Sequence, residues 1–183
     1  PIAGVTTGKI ARFLDLIQEL VDLGHRRIVN ITRRERVSPK PGALERAFLN
    51  KLKACGIPHS DYTLPLWGPE PKGLHQCLDK LFKHTPPTVI YADEFQTFST
   101  IQNHLANRGI LAPRDVTLVC GEPNFSFKWL DPTPSHIEWN HERVVQRATQ
   151  WVSHVARSQK DIKQTQIAVG LVRGGTMGPP PKG

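Results

Sequence analysis

The stretch Pro86–Gly121, PPTVIYADEFQTFSTIQNHLANRGILAPRDVTLVCG, decides the fold. It opens with an apolar run, TVIYA, which is typical of a buried strand. Apolar residues then recur at helical spacing over Phe95–Asn107, and Gly109 stands where a helix C-cap glycine belongs. A second apolar run, DVTLVC, predicts another buried strand. A strand, a helix and a strand of these lengths indicate a parallel pair joined by a crossover helix.

The same alternation continues on both sides of this stretch. The predicted elements before it are helix Lys9–Leu23, strand Arg27–Ile31, helix Ala43–Ala54, strand Tyr62–Trp67 and helix Gly73–His84. Pro65 weakens the second of these strands and favours a place at a sheet edge. After residues 86–121 we predict an irregular, aromatic-rich segment over 122–139 and a fifth helix, Asn140–Arg157. One last strand within 164–176 and an irregular Pro-rich tail follow. The pattern predicts an α/β fold, a Rossmann-like or flavodoxin-like parallel sheet flanked by helices.

Composition limits the class of protein. The 183 residues suffice for one domain with a sizeable core, and no apolar run is long enough for a transmembrane helix. The first residues lack the apolar core of a signal peptide. Three widely spaced cysteines form no disulfide framework, which fits a cytoplasmic protein. The formal charge of +8 allows nucleic-acid binding, but the basic residues are scattered, which favours an ordinary solvated surface.

The sequence lacks the usual motifs of catalysis. It contains no GxGxxG or GxxxxGK[ST] phosphate loop, no GxSxG elbow and no HExxH or other close His and Cys spacing. We therefore expect no enzymatic activity, no metal and no cofactor.

Ligands of open α/β sheets bind outside the carboxyl ends of the strands. This rule selects four segments as the candidate binding edge, namely Thr32–Arg36, Trp67–Pro69, Asp93–Glu94 and Gly121–Asn124.

Several short motifs, in this order, resemble the effector-binding domain of LacI/GalR-type transcription regulators, a periplasmic-binding-protein-like fold. LVDLGHRRIVNI (20–31) is similar to the family's helix–Leu-Gly-His–strand signature, and ALERAFLNKLKACGI (43–57) is similar to its next helix. The stretch 86–123 resembles the family's strand–Asn-Asp–helix–strand–Gly run, and LVRGGTMGPP (171–180) resembles its closing motif. The resemblance covers about residues 9–181.

The resemblance implies a division of the chain. Residues 1–137 would form the C-terminal subdomain of the effector-binding core. Residues 138–160 would form a helix that belongs to the N-terminal subdomain or an interface, and residues 161–183 the closing strand and tail. Family members bind operator DNA through a helix-turn-helix, which is absent from this chain, and act as homodimers. The apolar face of the fifth helix, at Trp139, Val144, Val145, Ala148, Trp151, Val152 and Val155, needs a partner.

Carried over by position, the resemblance places a small-molecule effector, sugar-like in most relatives, at four residues: Asp93, Glu122, Arg33 and Trp139. Each has an ordinary alternative. Asp93 would cap the helix that begins at Phe95, Glu122 and Arg33 would be solvated loop charges, and Trp139 would be a packing residue. The helix arginine that commonly binds the effector falls on Leu44, so that contact is lost.

The sequence also predicts a structural role for the corner at Gly24–Arg27. Gly24 lets the chain leave the first helix, and the basic His25-Arg26-Arg27 would complement the negative end of the helix dipole. We therefore do not place His25 in the binding site.

Taken together, the sequence predicts the ligand-sensing domain of a LacI-type regulator, more specifically a repressor. The alternatives are a solute-binding protein of a transport system, a direct nucleic-acid-binding module and a flavodoxin-like enzyme. The absent phosphate loop argues against the last of these.

Overall fold

The computed structural model describes residues 3–68 and 70–182. In chain order, its strands and α-helices are β1 (Gly4–Thr7), α1 (Lys9–Asp22), β2 (Ile28–Ile31), α2 (Ala43–Ala54), α3 (Pro71–His84), β3 (Val89–Ala92), α4 (Phe95–Ala106), β4 (Thr117–Cys120), β5 (Ser135–Trp139), α5 (His141–Ala156), β6 (Gln164–Ile167) and β7 (Val169–Val172). Of the predicted segments, Pro69 at the binding edge, the last tail residue Gly183 and the first two residues lie outside the described part.

A five-stranded sheet in the order β2-β3-β4-β5-β7 forms the centre of the molecule. The first four strands are parallel and β7 runs antiparallel to β5. Helices cover both faces of the sheet, and β2, β3 and β4 are therefore buried at every position. One core contains Phe13 and Phe48 from α1 and α2, and the other contains Leu78 and Phe98 from α3 and α4. The predicted α/β fold with a parallel sheet flanked by helices is confirmed.

A separate two-stranded parallel sheet joins β1 to β6, and α5 packs on both strands. The prediction of one last strand within 164–176 is wrong, because Ala168 separates two strands that belong to different sheets. The apolar residues of 167–172 continue without interruption, so the sequence does not signal the change of sheet. The division of the chain at 137 and 160 stays a prediction.

The predicted strand Tyr62–Trp67 does not form. Pro65 has no N–H to donate, and the segment makes one backbone hydrogen bond to β2, from Asn30 N to Thr63 O at 3.0 Å. Trp67 donates its indole N–H to the carbonyl of Thr32 instead, at 2.9 Å. β2 is therefore the edge strand of the five-stranded sheet.

The segment 122–139, predicted as irregular, contains more order than expected. Phe125–Trp129 forms a short 3₁₀ helix, and β5 occupies its last five residues. Pro132 and Pro134 stand immediately before β5, and His136 and Glu138 interrupt its apolar pattern. Because of these residues the sequence pattern does not predict β5.

The corner at Gly24–Arg27 has the predicted structural role, with one correction. Gly24 has φ of 103°, as a helix C-cap glycine does, and Arg26 donates to the carbonyl of Val21 in α1 at 2.8 Å. His25, however, is fully buried, and burial lowers the pKa of its imidazole. A largely neutral His25 does not complement the helix dipole. It binds Thr88 Oγ1 through Nδ1 at 2.9 Å and Gly178 O through Nε2 at 2.8 Å.

The tail after Thr176 forms no helix or strand within the described residues, as predicted. Residues 173–176, predicted as the end of the last strand, form none either, yet Thr176 is bound tightly to the sheet. The Thr176 hydroxyl donates to Leu118 O at 2.7 Å and accepts from Ser135 N at 2.8 Å. Thr176 O accepts from Leu118 N at 2.9 Å. These bonds join Thr176 to β4 and to the start of β5.

Candidate functional site

The candidate site lies at the carboxyl ends of β3 and β4, with Asp93 at its centre. Asp93 follows β3 and is 3% exposed. Its Oδ1 lies 2.6 Å from Lys9 Nζ, and its Oδ2 lies 3.3 Å from Arg36 Nη1. Gly121 makes this packing possible, because a Cβ there would collide with the Tyr91 hydroxyl and the Asp93 carbonyl.

Arg36 joins Asp93 to a second buried carboxylate. Its Nε donates to Glu45 Oε1 at 2.9 Å, and Glu45 has no exposed surface. Burial alone would lower the pKa of the Arg36 guanidinium, but Asp93 and Glu45 outweigh it and the pKa is raised. Glu45 Oε2 and Thr32 Oγ1 are buried without a hydrogen-bond partner. The site therefore combines fixed charges with unpaired polar atoms.

Trp139 ends β5 and stands close to this cluster. Lys9 Nζ lies 5.7 Å from the centre of the Trp139 ring, within the range of a cation–π contact. Lys9 thus connects two of the four predicted residues, Asp93 and Trp139. The indole is partly buried and packs against the core that α1 and α2 cover.

Glu122 serves α4. Its Oε1 accepts from the backbone N–H of Phe95, the first residue of that helix, at 2.7 Å. The alternative interpretation of Asp93 as the helix cap is therefore wrong, since Glu122 binds that N–H and Asp93 binds Lys9 and Arg36. The Glu122 carboxylate therefore already has a hydrogen-bond partner in the first turn of α4.

Arg33 binds Glu94 rather than Asp93. Its Nε and Nη2 both lie 2.7 Å from Glu94 Oε2, and its side chain is more than half exposed. Together with Trp67 and Thr97 the pair lines a depression of about 330 Å³. The structure brings Asp93 and Trp139 together through Lys9, and it engages Arg33 and Glu122 in separate contacts.

Sequence reasoning missed Lys9 and Glu45 and selected Arg36 only as part of a segment. Lys9 stands at the first turn of a helix, where no motif signals a binding role. Glu45 lies on the helix face that the apolar pattern assigns to the core, next to Leu44, which is itself buried. Its pairing with Arg36 depends on the fold of the loop between them. Arg46 stands two residues after Leu44, where the resemblance places the lost arginine contact, and it donates to the carbonyl of Pro41.

Over residues 3–68 and 70–182, no three His, Cys, Asp or Glu side chains converge as a metal site would require. In the same part of the chain, none of the helices is both long and apolar enough to cross a membrane.

A family model places the fold in one class of protein. The model for the periplasmic binding protein-like domain matches residues 17–177, so the chain belongs to that family. No curated protein matches the sequence.

Several solved structures share the fold of this chain. A LacI family transcriptional regulator from Enterococcus faecium with bound ribose is 18% identical with a TM-score of 0.76, over 96% of this chain and 65% of that one. A LacI family regulator from Bifidobacterium animalis subsp. lactis is 15% identical with a TM-score of 0.80, over 98% and 70%. A third, from Arthrobacter sp. in complex with lactose, is 15% identical with a TM-score of 0.75, over 94% and 65%.

At these identities the comparisons establish the fold. The predicted resemblance to the effector-binding domain of LacI-type regulators is confirmed at that level, and the neighbours are transcriptional regulators rather than enzymes. The chain spans about two thirds of the length of the structures it matches.

Proposed function

We propose that this chain is the larger part of the ligand-sensing domain of a LacI-type transcriptional regulator. A small, sugar-like effector binds at the carboxyl edge of the sheet, and its binding changes the affinity of a homodimer for operator DNA. The DNA would be bound by a helix-turn-helix outside this chain. Such a protein is cytoplasmic and has no enzymatic activity. Sensing requires that the effector bind one arrangement of the subdomains better than the other.

One observation carries the proposal, namely the buried carboxylate of Asp93 held between Lys9 and Arg36 beside the Trp139 ring. A sugar offers hydroxyl groups to charged side chains and an apolar ring face to an indole, and this cluster provides both. The ribose and lactose in the neighbours' structures support the same class of ligand.

Thermal unfolding of the full-length protein against pentoses, hexoses, sugar phosphates and purines tests this proposal. A ligand that binds only the folded state adds about 2.7 kcal/mol of stability at 100 times its Kd, and so raises the midpoint. We expect one ligand class to do so. Asp93→Ala should abolish the shift, and Asp115→Asn, which alters a partly exposed carboxylate before the amino end of β4, should keep it.

Trp139→Leu provides a second variant in case the loss of Asp93 unfolds the protein. It should weaken the ligand-induced shift while the core stays folded. An absence of shifts across the whole panel would refute the sugar-sensor proposal and leave the fold assignment intact.

A further inference from the structure

A second, larger concavity lies outside the candidate site. We name it the edge groove. It runs along the free side of β2, between α2 and α3, with a volume of about 790 Å³, which falls in the range of small-molecule sites. Its floor is the segment 59–68, which passes along the edge of the five-stranded sheet. Among the residues that line it are Tyr62, Leu66, Trp67, Cys77, Lys80 and Leu81.

The groove exists because the segment 59–68 is not a strand. With Pro65 in it and one backbone bond to β2, the segment does not continue the sheet. Leu66 is left 57% exposed. At the other end of the segment Gly73 meets Gly68 backbone to backbone, because a Cβ on Gly73 would lie 2.7 Å from Gly68 N. That close approach fixes the distance between α3 and the floor.

Two aromatic side chains give the groove a fixed apolar wall. The Tyr62 hydroxyl donates to Thr85 O at 2.9 Å, and the Trp67 indole N–H donates to Thr32 O at 2.9 Å. Because both polar atoms are bound to backbone carbonyls, the rings offer apolar surface to the groove. Leu64 and Leu81 extend this surface.

One side chain of the groove lining is a lysine, Lys80, which makes no ion pair or hydrogen bond with any described residue. The lining also contains one carboxylate, that of Asp61. Lys80 lies close to the groove wall: burial raises the pKa of the Cys77 thiol and the Lys80 ammonium opposes that change. An unpaired cation beside an apolar wall suits a ligand that carries one negative charge.

We propose that the edge groove is a second ligand site, for a small amphipathic carboxylic acid. The apolar body of the ligand lies against Tyr62, Trp67 and Leu81, and its carboxylate pairs with Lys80. This site is separate from the Asp93 cluster, and the proposal does not depend on the sugar-sensing function.

Nuclear magnetic resonance of the ¹⁵N-labelled chain tests the proposal with two probes, 4-phenylbutyrate and its uncharged analogue 4-phenylbutanol. We expect 4-phenylbutyrate to bind with a Kd of about 1 mM or below, typical of a small, weak ligand. The shifted resonances should include the Trp67 indole N–H and the amides around Leu81. The alcohol should bind about fivefold more weakly, the contribution of one partly exposed ion pair.

Lys80→Gln should remove the difference between acid and alcohol. Lys83→Gln, which removes an exposed lysine of the same helix outside the groove, should preserve it. Both positions are exposed, so neither change threatens the fold.

Four results would overturn the proposal. The first is the absence of shifts around the groove with either probe. The second is equal affinity for acid and alcohol in the unmodified chain, and the third is a set of shifts confined to the exposed apolar face of α5 around Trp151. The fourth is a change of the groove's resonances with protein concentration alone, which would show that a second copy of the chain occupies it.

Discussion

At the scale of single residues, Asp93 shows how far position in a sheet predicts chemistry. The rule that ligands bind at the carboxyl ends of parallel strands selects Asp93 from the sequence, and the structure places it at that edge. The same rule does not find Lys9, which reaches Asp93 from a helix far away in the sequence. Such pairs depend on tertiary packing, which apolar periodicity does not encode.

His25 gives the first prediction, a loss of stability in mild acid. Burial lowers the pKa of its imidazole below the ordinary value of 6.5. As the pH falls through that value, the unfolded chain takes up a proton that folded His25 resists, so the unfolded state gains stability. The free energy of unfolding should therefore fall between pH 7.5 and 5.5, by at most about 1.4 kcal/mol per pH unit from this residue.

Urea unfolding at several pH values measures that slope. His25→Gln should flatten it, whatever its effect on stability at neutral pH. His104, whose pKa is also lowered by burial, contributes in the same direction, so part of the slope should remain. An unchanged slope in His25→Gln would contradict the prediction.

At the scale of elements, sequence reasoning succeeds where an element has its own pattern. The helices and β2 to β4 have periodic or continuous apolar runs, and they form close to where they were predicted. Gly24, Gly56 and Gly109 also mark the ends of α1, α2 and α4. The strand at 62–67 fails although its residues suit a strand, because Pro65 cannot donate to a neighbour. β5 forms although prolines precede it, because β4 and β7 supply its partners.

The hydroxyl of Thr176 gives the second prediction. Thr176 is 1% exposed, and its hydroxyl joins Leu118 O to Ser135 N. Thr176→Val leaves two buried backbone groups without this partner, which should lower the free energy of unfolding by about 2–4 kcal/mol. Thr176→Ser keeps the hydroxyl and should cost much less. Equal losses in the two variants, measured by urea unfolding, would show that packing of the methyl group matters instead.

The attachment of α5 to its sheet gives the third prediction. Arg147 binds Asp161 through two nitrogens, at 2.7 and 2.6 Å, and binds Thr165 Oγ1 at 3.1 Å. Its hydrogen bonds hold the pKa of the Asp161 carboxyl well below the usual range. Few other side chains of α5 are covered, since Val145, Val152 and Val155 are more than half exposed.

Arg147→Met should therefore loosen the small sheet before it affects the large one. Hydrogen exchange should speed up in β1, α5 and β6 while β3 and β4 stay protected. Arg143→Met, an exposed change one turn earlier on the same helix, should leave exchange as it was. Equal loss of protection in both sheets would mean that they unfold as one unit.

At the scale of the whole molecule, the formal charge of +8 overstates the attraction for nucleic acid. Many arginines are paired with carboxylates; these are Arg12, Arg33, Arg36, Arg108, Arg114, Arg147 and Arg173. Paired cations release fewer counterions from a phosphate backbone.

The fourth prediction is that this chain binds DNA of random sequence weakly. Mobility-shift assays should detect no complex at about 150 mM salt, where nonspecific binding in the micromolar range persists for strongly cationic domains. A stable complex with a steep salt dependence would favour the alternative of a direct nucleic-acid-binding module.

The pairing of β1 with β6 has a consequence for how the protein is made. Gly4 lies opposite Gln164, so the partner of the first strand is 160 positions away. At ordinary rates of synthesis the ribosome needs roughly 10–30 s to add that length. During this time the early strand has no partner, and contacts between distant segments are the slowest to form. The small sheet can therefore close only after residues 164–167 have been made, and until then β1 waits without its partner strand.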